Sequence, residues 1–274
     1  MSSHEFPREP APFDPAAPAY DTDFTETTLA RWLRELVWEQ IADIFRPGDH
    51  VLELGCGTGE DALWLARRGV RVTATDASGE MLEVGRLKVE GVGLLDWVTF
   101  QKLDIGYSIL GIGSIPNIPY PISHIFSNFG PLNCLSERKT LAEGLAKVVP
   151  PGGKVVLVVM GPFCLWEMAW YLGHLQFRTA FRRWRAGIPA HTGGGGMVRV
   201  WYPSPARLRA EFAPHFRLMK TVGIGAFLPP SYLSHFVDRW PGFFGRLREW
   251  ERRWGGVFPW TWVNDHYLMV LERV

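Results

Sequence analysis

The stretch "HVLELGCGTGEDALWLARRGVRVTATDAS", residues 50–78, constrains this chain more than any other. An apolar run breaks on three glycines spaced two apart, a helical segment follows, and a second apolar run ends on an aspartate. His50 to Leu54 reads as a short buried strand, Glu60 to Arg68 as a helix, and Arg71 to Thr75 is β-branched enough to be the next strand. Gly55, Gly57 and Gly59 then fall at a strand-to-helix turn, where missing Cβ atoms let backbone N–H groups approach a ligand. Asp76, 21 positions after Gly55, would stand beside a ribose and accept hydrogen bonds from both hydroxyls. Glycine spacing alone is a weak signal; strand, turn, helix, strand and acid in that order make it a much stronger one.

The same rhythm runs through the first 160 residues. Thr25 to Phe45 carries apolar residues at helical spacing and stops at Pro47-Gly48. Ser78 caps a helix containing Met81, Leu82 and Val84, and strands are predicted at 98–103, 124–127 and 154–159, with a helix over 137–148. Strands at 216–222 and 267–272 complete the set. The fold class that follows is α/β: a doubly wound, Rossmann-like, mainly parallel seven-stranded sheet with helices on both faces. Residues 1–24, rich in Pro and Ala, read as a poorly ordered arm, and 25–160 as the ligand-binding core. Residues 161–203, with "FCLWEMAWYLGHLQFRTAFRRWRAG" and "HTGGGG", read as an inserted aromatic and helical substrate cap. Residues 204–274 complete the core and carry a second insertion at 223–262.

Composition excludes several classes. With 29 Lys and Arg against 28 Asp and Glu, the net charge of +1 gives no global attraction to nucleic acid or to an anionic membrane. Cys56, Cys134 and Cys164 form no CxxC pair, which suits a reducing cytosol and inert thiols. The N-terminus lacks a signal-peptide core, and Gly161, Pro162 and Glu167 interrupt the apolar region 155–172, so a cytoplasmic protein without a transmembrane segment is expected. The eight histidines show no HxH or HExxH spacing, so no metal is expected.

Two cofactor classes use a glycine turn and a distal acid. A dinucleotide turn usually reads GxGxxG, whereas here the run is Gly55-x-Gly57-x-Gly59, with Glu53 two residues earlier. An acid there repels a pyrophosphate but suits a cationic amine and sulfonium. On these residues the chain resembles the class I S-adenosylmethionine-dependent methyltransferases, whose first motif is ExGxGxG, and among them the small-molecule enzymes of the ubiquinone and menaquinone biosynthesis type. The resemblance covers roughly residues 20–159. It implies S-adenosyl-L-methionine as cofactor, S-adenosyl-L-homocysteine as product, and a cofactor site of Tyr20, Glu53, Gly55, Cys56, Gly57, Thr58, Gly59, Asp76, Ala77, Met81, Asp104, Ile105, Asn128 and Phe129. "LAKVVPPGGKVVLVV" is similar to the family's segment before the fifth strand. Ile122-Ser123 replaces the family's frequent Phe-Asp, and "SNFGPLN" stands where adenine-modifying members carry NPPY or DPPY.

Methyl transfer from a sulfonium is an in-line displacement in which alignment and exclusion of water carry much of the rate. A base is needed only if the acceptor must lose a proton. His191, beside a glycine run read as flexible, is the first candidate, followed by Tyr202, His174 and Glu167; the bland reading of Glu167 is an ion pair with a cap arginine. Between Arg178 and Lys220 nine basic residues face only Glu211, and Arg199 is the candidate for holding an acidic group on the substrate. Trp166 and Trp170 are the candidates for an apolar substrate pocket. Trp240, Phe243, Leu247 and Trp250 have helical spacing, for which packing on the sheet is the simple reading and shallow membrane contact the other.

The reading that follows is methyl transfer to a small, largely apolar metabolite. A dinucleotide-dependent oxidoreductase, an RNA methyltransferase and a non-catalytic cofactor-binding protein of the same fold stand as alternatives. The acceptor atom and the oligomeric state are left open by the sequence.

Overall fold

The computed structural model describes residues 11–106 and 121–274. Its centre is a seven-stranded sheet of β1 (His50–Leu54), β2 (Arg71–Asp76), β3 (Val98–Lys102), β4 (His124–Ser127), β5 (Lys154–Met160), β8 (Phe216–Ile224) and β9 (His266–Arg273). The strand order is β3-β2-β1-β4-β5-β9-β8. β1 pairs in parallel with β2 and β4, and β9 runs antiparallel between β5 and β8. The order reverses between β1 and β4, and at such a switch point the loops leaving the strand ends open a crevice.

Alternation along each strand divides the core into two layers. Val51, Val156, Val158, Leu268 and Val270 point to one face, where α1 (Thr28–Ile41), α2 (Glu60–Arg67) and α3 (Gly79–Glu90) pack. Leu52, Leu54, Val155, Leu157, Val159 and Met269 point to the other, against α4 (Lys139–Val148) and α7 (Pro205–Phe212). The caps obey local chemistry: the hydroxyls of Thr27, Ser78 and Ser204 accept N–H bonds in the first turns of α1, α3 and α7. α1 begins three residues later than the apolar spacing predicts, because Asp21–Thr25 forms a single π-helical turn first.

Two segments differ from expectation. Residues 11–24, read as a loose arm, form a 3₁₀ helix over Asp14–Ala19 and then the π turn. Ala16 and Ala17 are buried against Met81, and Asp14 accepts the Ser78 hydroxyl at 2.6 Å, so small residues and one acid anchor a proline-rich strand of chain. Residues 1–10 of the expected arm lie outside the described residues. The cap is not one aromatic helix: α5 (Leu165–Gly173) and the short α6 (Phe177–Ala180) are followed by a two-stranded hairpin, β6 (Ile188–Gly193) and β7 (Gly196–Val200). The glycine run read as flexible is the hairpin's turn, with Gly193, Gly194 and Gly195 all at positive φ. The second insertion contains α8 (Ser234–Arg239) and α9 (Pro241–Trp254). Phe244, Leu247 and Glu251 face inward, while Trp240, Phe243 and Trp250 are exposed, so packing on the sheet accounts for Leu247 but not for the other three. Among the described residues no helix is long and apolar enough to cross a membrane.

Candidate functional site

A cavity of about 560 Å³ opens above the carboxyl ends of β1, β2 and β4, within the range of small-molecule and cofactor sites. Its floor is the glycine turn, and the three glycines there have different tasks. All three have positive φ. A Cβ on Gly55 would lie 2.2 Å from the Pro131 ring, and one on Gly59 3.1 Å from Phe100, so both are required by packing. Only Gly57 faces open space, with the Tyr20 ring 4.0 Å from where its Cβ would be. The Gly57 N–H donates to the Asp76 carboxylate at 2.9 Å, which accepts the Ser78 N–H on its other oxygen. Burial pushes the Asp76 carboxyl above its ordinary value, against the pull of those two backbone donors.

Tyr20, Gly55, Cys56, Gly57, Thr58, Asp76, Ala77, Met81, Asp104, Ile105, Asn128 and Phe129 all line this cavity. Asp104 accepts the Gly106 N–H at 2.7 Å, and Phe129 sits at φ 49° with its ring against His266. Glu53 and Gly59 are not lining residues. Glu53 is fully buried in the sheet, and burial, reinforced by the nearby Asp61 charge, raises its carboxyl well above the usual range, so it presents no exposed anion to a ligand.

A further acid lining the cavity is Asp61, which the sequence reading missed. It receives the Arg34 guanidinium in a buried ion pair, the Trp38 indole N–H at 2.7 Å and the Asn128 amide at 3.0 Å. Arg34 also lies over the Phe129 ring at 5.4 Å. The Arg34 Nε and the Asn128 carbonyl oxygen are buried without a partner, leaving unused hydrogen-bonding capacity at this end of the cavity. Arg34 stands on the buried side of α1, where a cation on an apolar helix face is the one signal that points to a buried partner.

The opposite wall is the hairpin. His191, Met197, Arg199 and Trp201 line it, together with Pro12 and Phe13 of the N-terminal segment. His191 and Arg199 are largely exposed, and Arg199 donates to the Gly187 carbonyl at 3.0 Å. The buried Asn133, also unforeseen, anchors the hairpin: it accepts the Met160 N–H and donates to the carbonyls of Met160 and Trp201. The hairpin tip rests on the N-terminal segment, where Thr192 donates its hydroxyl to the Pro12 carbonyl at 2.7 Å.

Five other candidates lie elsewhere. Glu167 is buried and paired with Arg182 and Arg183, which also reaches Asp265, so the ion-pair reading of this acid holds. Burial pushes the Glu167 carboxyl up, but the two arginines override it and hold it below its usual value. Tyr202 lies beneath the Arg183 guanidinium at 5.1 Å, and His174 is an exposed helix end bonded to the Trp170 carbonyl. Trp166 and Trp170 are not in the cavity wall: Trp166 donates to the Phe227 carbonyl and packs on Phe244, and Trp170 packs on Phe236. They fasten α5 to the second insertion. The basic run is also less free than its sequence neighbourhood implied, because Glu167 from just before it, and Asp265 and Glu272 from distant segments, reach it.

Residues 51–153 match the family model described as a methyltransferase domain. The demethylmenaquinone methyltransferase of Symbiobacterium thermophilum is 28% identical over 251 residues, covering 89% of this chain and 79% of that protein. That of Clavibacter sepedonicus is 30% identical over 150 residues, 54% of this chain and 56% of its own length, so the chain spans about half of that relative. In fold, the CcbJ methyltransferase from Streptomyces caelestis superimposes with a TM-score of 0.60 at 17% identity, covering 97% of this chain and 99% of the other.

Proposed function

Because this chain belongs to the class I S-adenosylmethionine-dependent methyltransferases, we propose that its cavity holds S-adenosyl-L-methionine along the Gly57–Asp76 floor and a small, largely apolar acceptor beneath the hairpin. The observation that carries the reading is the single open glycine, Gly57, bonded to the one acid at the end of β2. The donor set suits the cofactor: Asp76 for the ribose hydroxyls, Ala77, Met81 and Ile105 for the adenine faces, and Asp104 for its amine. At the polar end, the unpartnered Asn128 carbonyl oxygen suits the methionine ammonium, and Arg34 suits its carboxylate. When bound, the cofactor supplies an electrophilic methyl group on a sulfonium.

The protein's own contribution is alignment and dryness. Phe129, Met160, Met197 and Trp201 make an apolar chamber at the reacting end, so the acceptor meets the methyl group without competing water. The relatives named for demethylmenaquinone favour a quinone-type ring as the acceptor class, and Arg199 at the mouth suits an acidic or hydroxyl substituent on it. In this reading His191, which lines the same mouth, takes a proton from such a hydroxyl.

Calorimetric titration of S-adenosyl-L-homocysteine, with Asp76→Ala as control, tests the cofactor assignment. Binding by the wild type that the substitution weakens at least about ten-fold supports it, that being the loss of a charge-assisted hydrogen bond. A folded wild type that does not bind would overturn it.

A further inference from the structure

We propose that the outer face of α9 and the turn after it dock on an anionic lipid surface. Eight of the eighteen exposed large apolar side chains among the described residues fall between Tyr232 and Trp262. Single exposed apolar residues are ordinary, but a contiguous aromatic patch marks an interaction surface. Phe243, Trp250 and Trp254 follow one another at intervals of seven and four residues, which sets them in one line along α9, roughly 16 Å long at 1.5 Å per residue. They are 57%, 55% and 44% exposed. The line is extended at one end by Trp240, stacked on Phe236, and at the other by Val257 and Phe258.

The charge beside this line selects the partner. Arg246 and Arg253 each stand three residues beyond Phe243 and Trp250, one step round the helix on the solvent side of the stripe. Arg239 precedes Trp240. None of these three arginines has a carboxylate partner among the described residues, whereas Arg248 and Arg252, on the far side of the helix, are paired with Glu35, Glu39 and Glu249. The Arg239 and Arg253 guanidiniums lie 5.5 and 5.3 Å from the rings of Trp240 and Trp254. Aromatic rings flanked by unpaired arginines match the boundary of a bilayer, where indoles settle among the headgroups and arginines meet lipid phosphates. A second copy of this face would instead set arginine against arginine. The inference uses none of the cavity residues and is independent of the acceptor named above.

The test is co-flotation of the full chain with vesicles of about three parts phosphatidylcholine to one of phosphatidylglycerol, against pure phosphatidylcholine. The wild type should float with the anionic vesicles at low salt and release as ionic strength passes about 0.1 M, where the Debye length is about 10 Å. Phe243→Ser/Trp250→Ser/Trp254→Ser should weaken vesicle binding at least about ten-fold. Arg246→Glu/Arg253→Glu should weaken it by about five-fold or more for each arginine. Both should bind S-adenosyl-L-homocysteine as the wild type does, which reports intact folding. A wild type that stays out of the anionic vesicles, or variants that float unchanged, would overturn the proposal. So would a sedimentation-velocity dimer that the aromatic variant splits, since the face would then belong to a second copy.

Discussion

The Asp76 carboxylate accepts the Gly57 N–H at 2.9 Å, closing a contact between residues 19 apart and tying the end of β2 to the turn after β1. Two glycines flank Gly57 at the same spacing, and their substitution should have different consequences. Gly57→Ala puts a Cβ into the cavity at φ 53°, with strain of about 1–2 kcal/mol, and should weaken S-adenosyl-L-homocysteine binding about ten-fold or more in a folded protein. Gly55→Ala, blocked by Pro131, should instead lower the unfolding midpoint or prevent folding. Calorimetry and urea unfolding on the same samples separate the two, and equal loss of affinity with equal stability would refute the distinction.

Asp61 and Arg34 should behave as a coupled pair. Asp61→Leu leaves the buried guanidinium without its counter-charge and should cost about 3–5 kcal/mol of stability. Arg34→Met together with Asp61→Leu should recover part of that loss without restoring cofactor affinity. A double-mutant cycle in urea reads the coupling, and strict additivity would argue against it.

The hairpin tip fits the N-terminal segment too closely for a side chain. A Cβ on Gly196 would meet the Pro12 carbonyl oxygen at 1.9 Å, and one on Gly194 would meet that of Pro15 at 2.5 Å. Gly196→Ala should therefore lift the tip, speed amide exchange over residues 12–20 and weaken cofactor binding several-fold, on the order of 1 kcal/mol. Unchanged exchange there would show that the contact does not hold the mouth closed.

Substitutions at His191 and Arg199 should separate chemistry from binding. Once a turned-over acceptor is in hand, His191→Asn should lower kcat by about 100-fold or more with cofactor binding unchanged, if the acceptor gives up a proton. Arg199→Ala should raise KM more than it lowers kcat, reporting lost ground-state binding. A kcat unaffected by His191→Asn would mean that the transfer proceeds without this base.

Acid should loosen the α5–α6 region before the sheet. Burial opposes ionisation of Glu167 and Asp265, but their arginine partners hold both carboxyls below the ordinary values of 4.5 and 3.8. Because the folded values lie below the unfolded ones, the stabilisation is fully present above about pH 4.5 and is lost as pH falls through the folded values. Fluorescence of Trp184, whose indole donates to the Pro162 carbonyl, should change at a higher pH in Arg183→Met than in the wild type. Superimposable acid transitions would sink this account.

What the sequence by itself determined is the local and periodic part of the protein. Strand lengths, the turn glycines, the Ser78 cap and the acid closing β2 are decided within about twenty residues, where backbone sterics and side-chain alternation dominate. The cavity-lining residues at strand ends and in the turn after β1, such as Gly57, Asp76, Asp104 and Asn128, were legible from that order taken with the family resemblance, which also brought in Tyr20 and Met81 from outside the strand ends. Tertiary structure decided everything that needed a distant partner. It sent Glu53 into the sheet, faced Asp61 with Arg34 from another helix, and matched Glu167 with Arg182 and Arg183. It also folded the glycine run into a hairpin seated on a segment some 180 residues away, and left the α9 tryptophans outside rather than in the core. Helical spacing states which side chains share a face, but not whether that face meets the core or solvent. The partner of a buried charge is likewise set by long-range packing, because only the folded chain determines which groups lose their water together.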